Sequence, residues 1–185
     1  MKTIFYKSLT TVICLLPVCL CACDILPHKN SNPTVQPTAT SGDLKVHFID
    51  VGQGDAILID LGSTEVLIDG GDRSPGVTDY IDDYVDGHIE AVVATHPHAD
   101  HIGGLIEVLD DFDVDNVWYN GEDSTSKTYA DFISEANDEG TQIHVARRGN
   151  TIAAGILTLH VLNPVDTLFG NTNDNSIALE LSYGS

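Results

Sequence analysis

Three histidines and an aspartate fall within six residues, at His96-Pro97-His98-Ala99-Asp100-His101. Imidazole nitrogens and a carboxylate are donors that suit zinc, manganese or iron. His96 and His98 stand two apart, and Pro97 between them biases His96 toward extended backbone. In a loop leaving a strand, such a pair can converge on one ion. Asp100 and His101 follow at once and point in other directions, so the same loop can serve a second ion. Two cations a few ångströms apart acidify a shared water and clamp an in-line displacement. The bland alternative is a solvated polar loop, and the density of donors speaks against it.

The flanking pattern supplies the elements that must position these groups. Residues 89–94, apolar apart from Glu90, read as a buried strand that leads straight into the cluster. Residues 102–109 read as a helix with Gly103 and Gly104 in its first turn. Its N-terminal dipole would favour an anion beside the site. Upstream, residues 44–49, 56–61 and 65–68 read as an antiparallel meander, broken by Asp69-Gly70-Gly71-Asp72. Val77, Tyr80, Ile81, Tyr84 and Val85 space like one helix face. Downstream, residues 114–119, 142–146, 156–162 and 177–183 read as strands and 129–136 as a helix. Alternating strands and helices after a meander imply an α/β sandwich.

Thr95-His96-Pro97-His98-Ala99-Asp100-His101-Ile102-Gly103-Gly104 resembles the signature loop of the metallo-β-lactamase superfamily. Leu67-Ile68-Asp69-Gly70-Gly71 resembles that family's strand-end aspartate motif. His47-Phe48-Ile49-Asp50-Val51-Gly52-Gln53-Gly54-Asp55-Ala56 is similar to the metallohydrolase domain of bacterial DNA-uptake competence proteins, and Asn173-Asp174-Asn175-Ser176 fits the same subgroup. The resemblance runs from about Lys45 to the C-terminus. It implies an αββα sandwich with the metal site at one edge, and two divalent ions, zinc first and manganese as the alternative. By resemblance, His96 and His98 would hold one metal, and Asp100 and His101 the other. Asp69 would orient a metal-bound histidine, which makes Asp100 and Asp69 the catalytic candidates. Turn formation before Gly70-Gly71 is the rival reading of Asp69, and turn capping explains Asp50 and Asp55 equally well. The family usually adds a further histidine to the first metal. His144 and His160 both sit within strand-like segments, so Asp174 or Asn175 would assist the site instead. The family's bridging aspartate and last histidine would lie beyond Ser185, so the chain is expected to be truncated before the site is complete.

All four cysteines, Cys14, Cys19, Cys21 and Cys23, lie in the first 23 residues, which leaves no Cys-based zinc site in the rest. Lys2 and Lys7 precede an apolar stretch, a secretory signal too short to be a comfortable membrane span. Leu20-Cys21-Ala22-Cys23 resembles a bacterial lipobox, with Cys23 lipidated; Cys21 is the second candidate. The expected organisation is a signal peptide at 1–22, lipidated Cys23 and a flexible Pro/Ser/Thr/Asn linker over 23–42, and the domain from 43 to 185. The protein would then sit on the outer face of the cell membrane. Net charge is −20, or −22 once Lys2 and Lys7 are removed. So acidic a chain repels extended nucleic acid at long range. The competence channels carry many membrane spans, whereas the one apolar run here is the signal. Expected substrates are therefore a small molecule or an exposed phosphodiester or ester. The rival functions are a β-lactam or lactone hydrolase and a non-catalytic metal-binding lipoprotein.

Overall fold

The computed structural model describes residues 42–138 and 141–183, so the signal, Cys23 and most of the linker lie outside the described residues. Strands β1 (Lys45–Phe48), β2 (Ile57–Asp60) and β3 (Glu65–Ile68) form the antiparallel meander. A single helical turn, α1 (Thr78–Ile81), precedes β4 (Ala91–Ala94), which adds to β3 in parallel. Helix α2 (Ala99–Asp111) leads to β5 (Asn116–Tyr119), and α3 (Lys127–Asp138) to β6 (Gln142–Val145), both strands again parallel. The first sheet thus runs β1-β2-β3-β4-β5-β6 in chain order. Strands β7 (Thr151–Ala154), β8 (Leu157–Asn163) and β9 (Ala178–Ser182) make a second, antiparallel sheet.

The two-residue period of a strand divides the core into two layers. Val92 and Ala94 join Leu58, Leu67 and Val117 under the helices, where α2 contributes Ile102, Leu105, Ile106 and Leu109 and α3 contributes Phe132 and Ala136. Ala91 and Val93 face the other way and pack with Ile152, Leu157, Leu159 and Val161 of the second sheet. All four residues of β4 are buried, which is why this strand reads as an unbroken apolar run. The outward residues of the second sheet, Thr151, Ala153, His160, Leu162, Ala178 and Glu180, are exposed. Three of the four expected layers are therefore present among the described residues.

Three elements differ from their sequence reading. The helix expected over 77–85 holds for one turn only, with no side-chain cap and only acids, Asp82, Asp83 and Asp86, where a helix C-terminus favours cations. Helix α2 begins at Ala99, so Asp100 and His101 belong to its first turn rather than to the preceding loop. Strand β7 was not expected, because Thr151-Ile152-Ala153-Ala154 offers a single large apolar side chain.

Glu65 is an exception inside the first layer. It is fully buried, and neither carboxyl oxygen has a partner among the described residues. Burial, reinforced by Glu90, Asp86 and Asp60, pushes its carboxyl up to about 8. Between the ordinary glutamate range and pH 8 the folded chain therefore holds a proton that the unfolded chain has released. Stability falls with rising pH across that window and levels off above it. Glu65→Gln removes this titration. It is expected to gain on the order of 2–4 kcal/mol over wild type at pH 8.5, with the gap closing toward pH 5. Urea melts at the two pH values check this, and an unchanged pH slope in the variant would contradict it.

Candidate metal centre

Strand β4 ends at Ala94 and hands the chain to Thr95 and His96. His98 keeps extended backbone, with φ −83° and ψ 145°, before α2 begins at Ala99. Two glycine-bearing loops clamp that helix start. The Gly70 N–H donates to the His101 carbonyl at 2.8 Å, Gly104 N–H to Gly71 at 3.1 Å, and Gly71 N–H to Asp55 at 2.9 Å. Gly54, with φ +88°, comes so close to α2 that a Cβ there would sit 1.6 Å from the Asp100 carbonyl oxygen. Only glycine permits both that conformation and that approach.

His96 Nε2 faces His98 Nδ1 at 3.1 Å. Two nitrogens on one tetrahedral zinc, each about 2.0–2.1 Å from it, stand about 3.3 Å apart. The pair is therefore spaced to share an ion. The His101 ring centroid lies 4.1 Å from that of His96. His101 Nδ1 donates to Asp69 Oδ2 at 2.7 Å, which leaves its Nε2 free. Asp69 also accepts from the Thr95 N–H on Oδ1 at 2.7 Å and from Thr95 Oγ1 on Oδ2 at 2.6 Å. It does so from φ 54°, a left-handed backbone at the end of β3 that aims the carboxylate between β4 and α2.

Donor atoms of Asp69, His96 and His101 lie within 4.8 Å of one another, close enough for one ion. Asp69 nonetheless has its oxygens committed to three donors, and ligation through Oδ2 would sacrifice the bond to His101. Its surroundings suit an orienting carboxylate better than a ligand.

The ionisation states of His96 and Asp100 fit cation binding, whereas Asp69 and His101 are shifted toward their protonated forms in the metal-free chain. Burial, with the nearby His101 and His98, holds His96 down at about 4, so it is neutral at physiological pH, as a ligand must be. The hydrogen bond from Gln53 Nε2, 3.1 Å from Asp100 Oδ2, keeps Asp100 below the ordinary carboxylate range. Burial raises Asp69 against its hydrogen bonds from His101 and Thr95. Burial opposes a proton on His101, but the bond and charge of Asp69, with the charges of Asp100 and Asp55, together raise that group.

His96, Asp69 and His101 line an open cavity of about 390 Å³. Asp55 and Ser176 add polar groups to its lining, and Ile57, Ile68 and Leu179 add apolar ones. Asp50 caps its own turn through Gly52 N–H, as the bland reading has it. Asp174 is exposed and is held through its main chain, its carbonyl accepting from Asn163 and its N–H donating to the Asn171 carbonyl. Asn175 is completely buried but bonds to Glu122 and Phe169 rather than to a histidine. Ser176, given no role in the sequence beyond closing the Asn173–Ser176 motif, touches His96. Gln53 and Thr95 were visible only as members of motifs. His144 bonds Asn116 and stacks on Trp118, the satisfied strand histidine expected of it.

Residues 49–175 match the family model described as the metallo-beta-lactamase superfamily. The chain belongs to that superfamily. No curated protein matches it. Among solved structures, a B3 metallo-beta-lactamase with an active-site glutamic acid is 20% identical with a TM-score of 0.50, over 77% of this chain and 55% of its own. A metallo-beta-lactamase from Staphylococcus aureus is 21% identical, with a TM-score of 0.48, over 75% of this chain and 38% of its own. ETHE1 from Myxococcus xanthus is 22% identical, with a TM-score of 0.49, over 75% of this chain and 53% of its own. The chain thus spans less than two thirds of each of these structures. The metallo-β-lactamase fold is one of metal-dependent hydrolases that bind divalent cations, and the donor set at the end of β4 fits such a cation.

Proposed function

We propose that the protein is a two-metal hydrolase acting on a phosphodiester or ester-like bond outside the cytoplasmic membrane. The observation that carries this reading is the approach of His96 Nε2 and His98 Nδ1 to 3.1 Å, beside His101 with its Nε2 free. His96 and His98 hold the first ion. Asp100 and His101 hold the second, and the nitrogen and oxygen donors favour zinc, with manganese the alternative. When bound, the ions supply an activated water and stabilise charge on the reacting oxygens. Asp69 and Thr95 lock the rings, and Gln53 fixes Asp100. The competence-type motif at residues 47–56 favours phosphodiesters. The net charge of −20 favours small or exposed ones over long nucleic acid.

The lipobox at Leu20-Cys21-Ala22-Cys23 supports anchoring through a lipid on Cys23 and a tether that holds the domain off the membrane. Among the described residues no helix is long and apolar enough to cross a membrane.

The test is turnover of a chromogenic phosphodiester and of a chromogenic cephalosporin by the full-length protein, before and after chelation. Phosphodiester turnover that is lost with chelator and restored by zinc or manganese is expected. Turnover of the cephalosporin alone would replace this reading with acyl hydrolysis. Metal binding without turnover of either would leave a metal-binding lipoprotein.

A further inference from the structure

The chain after β8 places a hydroxyl group against the candidate centre from 80 residues away in sequence: Ser176 Oγ lies 3.3 Å from His96 Nδ1. The same nitrogen also lies 3.0 Å from Thr95 Oγ1. A hydroxyl can donate or accept, so neither contact alone decides where the ring proton is. The partners of the two hydroxyls do decide it. Thr95 Oγ1 donates to Asp69 Oδ2 at 2.6 Å, and Ser176 Oγ donates to the Asn173 carbonyl at 2.8 Å. Each hydroxyl has one hydrogen and has committed it elsewhere, so each turns a lone pair toward His96. Nδ1 must then carry the proton, and Nε2, the atom facing His98, has the free lone pair.

Ser176 is held at this spot by a part-buried staple. Glu122, just past β5, accepts from Thr172 Oγ1 at 2.8 Å and from Asn175 Nδ2 at 2.9 Å. The Asn175 carbonyl accepts from Asn120 at 3.3 Å, and Ile177 N–H donates to the Thr95 carbonyl at 3.0 Å.

We propose that Ser176 is a positioning residue for the metal centre, fixing His96 as the Nδ1–H tautomer so that Nε2 is its ligand atom. The proposal rests on the reading of His96 as a metal ligand. The residue acts through His96 and does not itself bind the ion. Partners of this kind set which nitrogen of a histidine is available and typically change metal affinity by about 10- to 100-fold.

Two measurements on the full chain test it, with Co²⁺ as the probe. In the metal-free protein, nitrogen NMR should show His96 Nδ1 as the protonated nitrogen and Nε2 as the bare one; the reverse assignment overturns the proposal. In Co²⁺ titrations followed by absorption, Ser176→Ala should weaken binding about tenfold or more at unchanged stoichiometry, with Ser176→Thr restoring it. Wild-type affinity in Ser176→Ala overturns the proposal. So does equal weakening in both variants, because packing rather than the hydroxyl would then be responsible. His96→Ala separates the two levels of inference. Unchanged Co²⁺ stoichiometry there removes His96 as a ligand, whereas a lost ion alongside an unaffected Ser176→Ala removes only the role of Ser176.

Discussion

Asp69→Asn is expected to yield a folded protein that still binds its full complement of metal, but at least tenfold more weakly, in line with other partners of ligating histidines. The carboxylate accepts from Thr95 N–H, Thr95 Oγ1 and His101 Nδ1. An asparagine side chain has the same shape, and asparagine tolerates the left-handed backbone at φ 54°. Its carbonyl oxygen can serve the Thr95 N–H, but its amide group then presents hydrogens where His101 and Thr95 present theirs. His101 would move its proton to Nε2, the nitrogen the ion needs. Asp69→Ala removes the acceptor outright and takes that partner from three part-buried donors in a strained backbone. That variant should lose on the order of 3–5 kcal/mol of stability, read from urea melts. A residue that binds the ion itself would behave otherwise, since Asp69→Asn would then abolish one binding event rather than weaken it. Metal titration of the asparagine variant separates the two, and wild-type affinity would remove both roles.

How much of this could be read beforehand depends on how local each feature is. The donor cluster was legible because the four side chains lie within six residues and the buried strand in front of them is a solid apolar run. Strands β2 to β5 and the apolar faces of α2 and α3 follow from periodicity for the same reason. The start of α2 was placed late because Asp100 and His101 interrupt the apolar pattern, although an aspartate in a first turn is itself a helix-start signal. The short α1 shows the converse, an apolar spacing with nothing to cap it. Strand β7 is short and half alanine, and the hairpin partner β8 supplies what its own sequence does not. Ser176 was visible only as the last residue of the Asn173–Ser176 motif, with nothing to single it out from its neighbours. A serine after a polar run looks like any loop residue, and its contact with His96 exists only once the second sheet has been laid against the first. The neighbouring Asn175, expected to assist the site, seats that segment from a fully buried position, and the histidine contact itself falls to Ser176.

Gly104→Ala should be strongly destabilising even though it lies in the interior of a helix, where alanine is favoured over glycine by about 1 kcal/mol. A Cβ at Gly104 would stand 2.1 Å from the carbonyl oxygen of Gly70. The obstacle is main chain, with no flexible side chain to swing away. Relief requires α2 to back off from the loop after β3, and that movement stretches the Gly104-to-Gly71 and Gly70-to-His101 hydrogen bonds together. Overpacking of this kind costs about 1–3 kcal/mol or more, enough to reverse the sign expected from helix propensity. The same displacement pulls His101 away from Asp69, so weaker metal binding should accompany the lower melting midpoint. Gly87→Ala is the matched control: a Cβ there meets nothing within 4 Å, and its stability should stay within about 0.5 kcal/mol of wild type. If Gly104→Ala instead melts at or above the wild-type midpoint, α2 is not pressed against the strand-end loop. The geometry that places His101 beside Asp69 would then lose its physical basis.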